Sequence, residues 1–154
     1  MPVYAGFWKR FAAFLIDRIL IVVATFPITF AIGFFVGIRL VASGHGQSTD
    51  PTYQDTMTLI RLGSGIFGAT VDWLYYALME SSGLQTSVGG LVLGLIVTDM
   101  DGNRISFGRA TGRFFGRVLV GLTCCIGYVM VAFTEKKQGL HDMVSGTLVV
   151  EKNR

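Results

Sequence analysis

The run Ile19–Ile38 carries no charged side chain. A helix needs about 20 mostly apolar residues to cross the hydrocarbon core of a bilayer, and this run supplies them. It is too long for the core of a signal peptide, and no small-residue cleavage site follows it. The first transmembrane helix is therefore expected at about 9–40, opening near Trp8. Pro27 removes a backbone donor in its middle and predicts a kink. Gly33 and Gly37 form a Gly-x-x-x-Gly pair that permits close helix contact.

Composition points the same way. Of 154 residues, 51% are apolar and 15% charged, against roughly 25% charged in soluble domains. A disordered chain would be polar and highly charged, so that class is excluded. The length suits one domain. Adjacent Cys124 and Cys125 make neither a disulfide framework nor a zinc site and read as packing. The net charge of +3 sits at the ends of apolar runs. That placement fits cytoplasmic membrane flanks rather than nucleic-acid binding.

Residues 41–58 form a polar loop without lysine or arginine, which the positive-inside rule places outside the cytoplasm. Lys9 and Arg10 put the N-terminus on the cytoplasmic side. A second span is expected at about 59–80, with Trp73, Tyr75 and Tyr76 as an interfacial belt and Glu80 closing it. Leu95–Asp99, an Asp-Gly turn and Arg104–Phe107 predict a cytoplasmic β-hairpin within 94–107. The strand-like run Thr147–Glu151 is expected to join it, because an isolated hairpin is marginal in water. The apolar region 108–134 has basic residues at both ends, Arg109, Arg113 and Arg117 before and Lys136 and Lys137 after. Two short helices, about 109–122 and 125–134, folded back near Thr123–Gly127, reconcile those flanks with a cytoplasmic C-terminal segment, 135–154, better than one crossing does. The expected class is an α-helical integral membrane protein: two transmembrane helices, a re-entrant or broken third region and a small cytoplasmic sheet.

Ionisable groups in or near a membrane default to functional hypotheses. Arg10 and Asp17 share one face of the first helix, about two turns apart. Arg109, Arg113 and Arg117 form a basic stripe, with Gly108, Gly112 and Gly116 as a small-residue stripe beside it. That helix is a candidate to dock on the first helix and pair with Asp17; headgroup binding by snorkelling arginines is the bland reading. Asp72, inside the second span, is either a proton or cation site or a satisfied acceptor. His141 offers a proton relay, but the residues alone favour Asp142 capping a short helix or pairing with an arginine. His45 reads as solvated. There is no dinucleotide fingerprint, phosphate loop, zinc-protease motif or nucleophile elbow. No enzyme, catalytic residue, metal or cofactor is expected.

Three blocks in order resemble the RDD membrane family: Tyr4–Asp17, Gly94–Asp99 with Ile105–Ala110, and Gln138–Thr147. The resemblance runs over about 4–150 and implies that the naming arginine and two aspartates are Arg10, Asp17 and Asp142. It implies a glutamate at the end of the second helix, here Glu80, and cytoplasmic placement of the hairpin and C-terminus. Where the family shows Pro-Gly-Lys and further basic residues, this chain has Val88–Leu93, and Ile96 stands in place of a common arginine. Asp72 has no counterpart. Members resemble small transport-related proteins, with sodium/proton antiport suggested for some, and others resemble accessory modules. Two readings follow. One is a multi-pass inner-membrane protein of transport type, in which Asp17 handles a monovalent cation or proton beside Arg10 and a stripe arginine, and Asp142 closes the cytoplasmic side. The other is a non-catalytic structural or adaptor module locked by its Arg-Asp-Asp network. Membrane lipids and a homo-oligomer, with Gly33 and Gly37 as contacts, are the expected partners; nucleic acid is not.

Overall fold

The computed structural model describes residues 3–122, 131 and 134–152. Its elements are α1 (Phe7–Ala42), α2 (Pro51–Ser81), α3 (Val88–Val92), β1 (Leu95–Asp99), α4 (Phe107–Leu122), α5 (Leu140–Ser145) and β2 (Thr147–Glu151). The chain divides into two compact units, 19–72 and 1–18 with 73–154, and α1 and α2 each contribute residues to both.

In the 19–72 unit, α1 runs through Pro27 as one helix. Thr25 and Thr29 turn their hydroxyls back on the carbonyls of Ile21 and Thr25, at 2.8 and 3.2 Å, so neither needs a partner outside the helix. Phe26, Phe30 and Phe34 stack along one face, with centroids 5.6 and 6.0 Å apart. Among the described residues α1 is the one helix long and apolar enough to cross a membrane; its most apolar stretch has mean hydropathy 2.5 and is only 6% buried. The expected second span does form a helix but does not reach that hydropathy. Asp50 starts α2 by accepting the Thr52 N–H at 2.7 Å, and it also lies 2.9 Å from His45 Nδ1, so His45 has a protein contact as well as solvent. A side chain built at Gly33 or Gly37 would meet nothing within 4 Å.

The other unit is organised by a two-stranded antiparallel sheet. β1 pairs with β2 in the register Leu95–Glu151 to Asp99–Thr147. The C-terminal strand thus joins β1 as expected, but the second arm of the hairpin does not form. Two physical reasons are visible. The β1 edge is already engaged by Gln85, whose carbonyl accepts the Val97 N–H at 2.6 Å. Ser106 starts α4 instead, its hydroxyl accepting the Arg109 N–H at 3.3 Å and its carbonyl the Ala110 N–H at 3.0 Å. The turn itself is closed by Asp99, whose carboxylate accepts the N–H groups of Asp101 and Asn103, and by Gly102 at φ 87°. On the outer side of β2 the N-terminal segment adds a bridge from Tyr4 to Val150. The core beneath gathers Ala5, Ala13, Ala77, Leu95, Val97, Ile105, Ala110 and Val149.

Helix α4 forms across the first half of the expected broken region. The expected fold-back at 123–127, the cysteine pair and most of the second short helix lie outside the described residues. Trp73, expected in an interfacial belt, has partners on α4. It packs between Phe107 and Phe115 of α4 and donates its indole N–H to Thr111 at 3.2 Å.

Candidate functional site

Helices α4 and α5, the start of α1 and the end of α2 bring six of the expected ionisable residues together. Asp142 sits on α5 with no exposed surface. Its Oδ1 accepts from Arg113 Nε at 2.9 Å, and its Oδ2 accepts from Arg10 and, at 3.1 Å, from the Gly139 N–H. It therefore both caps α5 and pairs with two guanidiniums. Arg113 continues to Glu80 at 3.3 Å, and Arg117 closes the chain on the other Glu80 oxygen at 2.7 Å. Arg10 also donates to the carbonyls of Ala5 at 3.1 Å and Lys137 at 2.6 Å. One side chain thereby ties the N-terminal segment to the C-terminal one. Arg117 also lies over the Tyr76 ring, 4.3 Å from its centroid, a cation–π contact.

His141 faces this network, with Nε2 at 3.3 Å from Asp142 Oδ1. Burial pushes its pKa down to about 3, with Arg113, Arg117 and Arg10 adding to the shift against Asp142. The imidazole is therefore neutral near pH 7. For Asp142, burial alone would raise the carboxyl; the Arg113 and Arg10 guanidiniums, with the Gly139 N–H, hold it well below the ordinary carboxylate range.

The expected docking of the arginine stripe on Asp17 is not what forms. Arg113 and Arg117 turn to Glu80 and Asp142, and Arg109 pairs loosely with Asp99 at 3.6 Å. Asp17 is 1% exposed and is held through Oδ1 alone, by the Tyr75 hydroxyl at 2.6 Å and the Gly89 N–H at 2.7 Å. Among the described residues no cation lies within ion-pair distance of it. Geometry explains the choice. The Asp17 face of α1 meets α3 so closely that a Cβ at Gly89 would lie 2.1 Å from the Ala13 carbonyl oxygen. Only glycine brings the α3 backbone to that carboxylate. Of the other glycine stripe, Gly116 touches His141, at 3.1 Å from a built Cβ, while Gly108 and Gly112 make no close approach. Asp72 belongs to the 19–72 unit.

A cavity of about 460 Å³ opens between the two ionic groups. Its walls include Phe7, Phe11, Phe14, Leu95 and Val97, with Asp17, Tyr76, Glu80, Arg113 and Arg117 among the polar lining. Tyr76 lines it, and the Tyr76 hydroxyl is buried without a hydrogen-bond partner among the described residues. Sequence reasoning missed Tyr75, Tyr76 and Gly89 as parts of a site. The tyrosines read as interfacial; the useful signal for Gly89 was Ser87, which caps α3 by accepting the Gly90 N–H at 3.2 Å.

An apolar helix that is almost entirely uncovered and a buried arginine–carboxylate cluster that draws in both chain ends define a small membrane-protein module. The chain belongs to the RDD family, whose profile matches residues 4–146. It is 38% identical over 148 residues to "Uncharacterized protein YxaI" of Bacillus subtilis strain 168, covering 96% of this chain and 97% of that protein. It is also 30% identical over 155 residues to "Uncharacterized membrane protein YteJ" of the same organism, covering 97% of this chain and 82% of that one. No solved structure matches it.

Proposed function

We propose that this protein is a small multi-pass membrane protein of transport type, in which Asp17 handles a monovalent cation or proton inside the cavity. The observation that carries this reading is the asymmetry between the acids. Asp142 and Glu80 are each shared between two guanidiniums, whereas Asp17 has hydroxyl and amide donors on one oxygen and no cation among the described residues. A carboxylate lining a cavity without a counter-ion is the arrangement a mobile cation would complete. In this reading the Arg10–Asp142–Arg113–Glu80–Arg117 chain fixes the cytoplasmic end and takes no ion. Both termini face the cytoplasm of the plasma membrane, and homo-oligomers form through the open face at Gly33 and Gly37.

The alternative is a non-catalytic adaptor module. What supports it is the completeness of the same network: each guanidinium in it meets a carboxylate, and Arg10 binds two backbone carbonyls as well. Cation-driven proton flux in proteoliposomes separates the two. The transport reading expects flux in the wild type that Asp17→Asn abolishes while the protein stays folded. The adaptor reading expects no flux with any monovalent cation.

A further inference from the structure

We propose that the cavity is a binding site for a lipophilic organic ammonium ion, an apolar body carrying one protonated primary or secondary amine. The proposal rests on the reading of Asp17 as a cation site and names the class of cation.

Size and wall chemistry come first. A volume of about 460 Å³ lies within the range that takes a small organic molecule rather than a bare ion. The walls from Phe7, Phe11, Phe14, Leu95, Val97 and Val149 are apolar. A hydrated inorganic ion would leave that surface facing water, whereas an alkyl or aryl body covers it.

The polar groups then set the charge. The guanidiniums that line the cavity already have acceptors: Arg10 binds Asp142 and two carbonyls, Arg113 binds Asp142 and Glu80, and Arg117 binds Glu80 and lies over Tyr76. An anionic ligand would have to compete with those carboxylates and would face Glu80 and Asp17 besides. What lacks a partner is of the opposite kind. Asp17 Oδ2 receives no hydrogen bond from the described residues, both bonds to this carboxylate ending on Oδ1. The Tyr76 hydroxyl, on a residue 4% exposed, has none either. A carboxylate oxygen can only accept, and a phenol oxygen can accept, so each suits an N–H donor, and the carboxylate favours one of positive charge. Aromatic walls favour the same charge through their ring faces. A quaternary ammonium has no N–H to give and fits less well.

The test uses the full-length protein in phosphatidylcholine nanodiscs, with empty nanodiscs as the blank, and three probes of one shape: 4-phenylbutylamine, 4-phenylbutanol and 4-phenylbutyrate. Binding is read by equilibrium dialysis at pH 7. The expected result is amine binding at least tenfold tighter than either alternative. Asp17→Asn keeps an acceptor for Tyr75 and Gly89 but puts an amide N–H₂ where Oδ2 was, and should weaken the amine at least tenfold. Tyr76→Phe keeps the ring and should weaken it two- to fivefold, which provides a second check if the first variant does not fold. Equal binding of the alcohol, tighter binding of the carboxylate, or unchanged amine binding in Tyr76→Phe and folded Asp17→Asn overturns the proposal. Amine binding without ion flux would overturn the transport reading and leave this site standing. Flux of an inorganic cation without amine binding would do the reverse.

Discussion

Replacing Asp142 by alanine should destabilise the α4–α5 cluster more than any loss of a surface charge. The side chain is fully buried and accepts three hydrogen bonds, from Arg10, Arg113 and the Gly139 N–H. Its removal leaves two guanidiniums with side-chain exposures of 14% and 6% short of a counter-ion. Breaking a buried pair by deleting one partner costs about 3–5 kcal/mol. Arg113 keeps Glu80, and Arg10 keeps the Ala5 and Lys137 carbonyls, so the lower end, about 3 kcal/mol, applies. Asparagine retains an acceptor without the charge and should cost about 1.5–3 kcal/mol, the range for a hydrogen bond to an ion. Lys9→Ala is the control. It breaks the Lys9–Glu151 pair, also short at 2.6 Å but with the lysine half exposed, and such pairs contribute less than about 1 kcal/mol. Equilibrium unfolding in mixed micelles, followed by the fluorescence of Trp73 in its Phe107–Phe115 contact, gives the three values. An Asp142→Ala protein as stable as Lys9→Ala would refute the claim that this network holds the segments together.

Stability should also fall as pH drops below neutrality. His141 titrates at about 3 in the folded state and near 6.5 unfolded, so between those values the unfolded chain binds the extra proton and is favoured, by up to about 1.4 kcal/mol per pH unit. The Asp142 contribution is complete above about pH 4 and is lost only as pH falls further, through its lowered folded value. Melting temperatures at pH 7 and 5 should therefore differ in the wild type and differ much less in His141→Gln; parallel losses would show that another group is responsible. Gly89→Ala should destabilise by about 1–3 kcal/mol, the cost of overpacking, because its Cβ would fall on the Ala13 carbonyl, whereas Gly112→Ala meets nothing. Equal unfolding midpoints for the two alanine variants would contradict the close α1–α3 contact.

Much of this architecture can be read from residues whose physics is local. An uncharged run as long as Ile19–Ile38 has few alternatives to a long apolar helix, and α1 follows it. The β-branched runs 95–99 and 147–151 pair because each offers the other a matching edge. The second hairpin arm is where local reasoning fails. Arg104–Phe107 has strand-like residues, but Gln85 from a distant segment holds the edge it would need, and Ser106 starts a helix. The candidate site divides in the same way. Arg10, Asp17, Glu80 and Asp142 stand out as charges in apolar company. Which charge meets which depends on long-range packing: Arg10 and Asp17 share a helix yet serve separate clusters, and Asp17 is reached by a glycine amide from 72 residues away in sequence. No periodicity in α1 or α4 records that.

The proposed division of labour is that Asp17 works and the Asp142 network holds. It is tested most directly by cation-driven proton flux in proteoliposomes, with wild type, Asp17→Asn and Lys9→Ala reconstituted at equal folded amounts. Flux is expected in the wild type and in Lys9→Ala, and none in Asp17→Asn. Undiminished flux in folded Asp17→Asn, or none in the wild type with any monovalent cation, would contradict it.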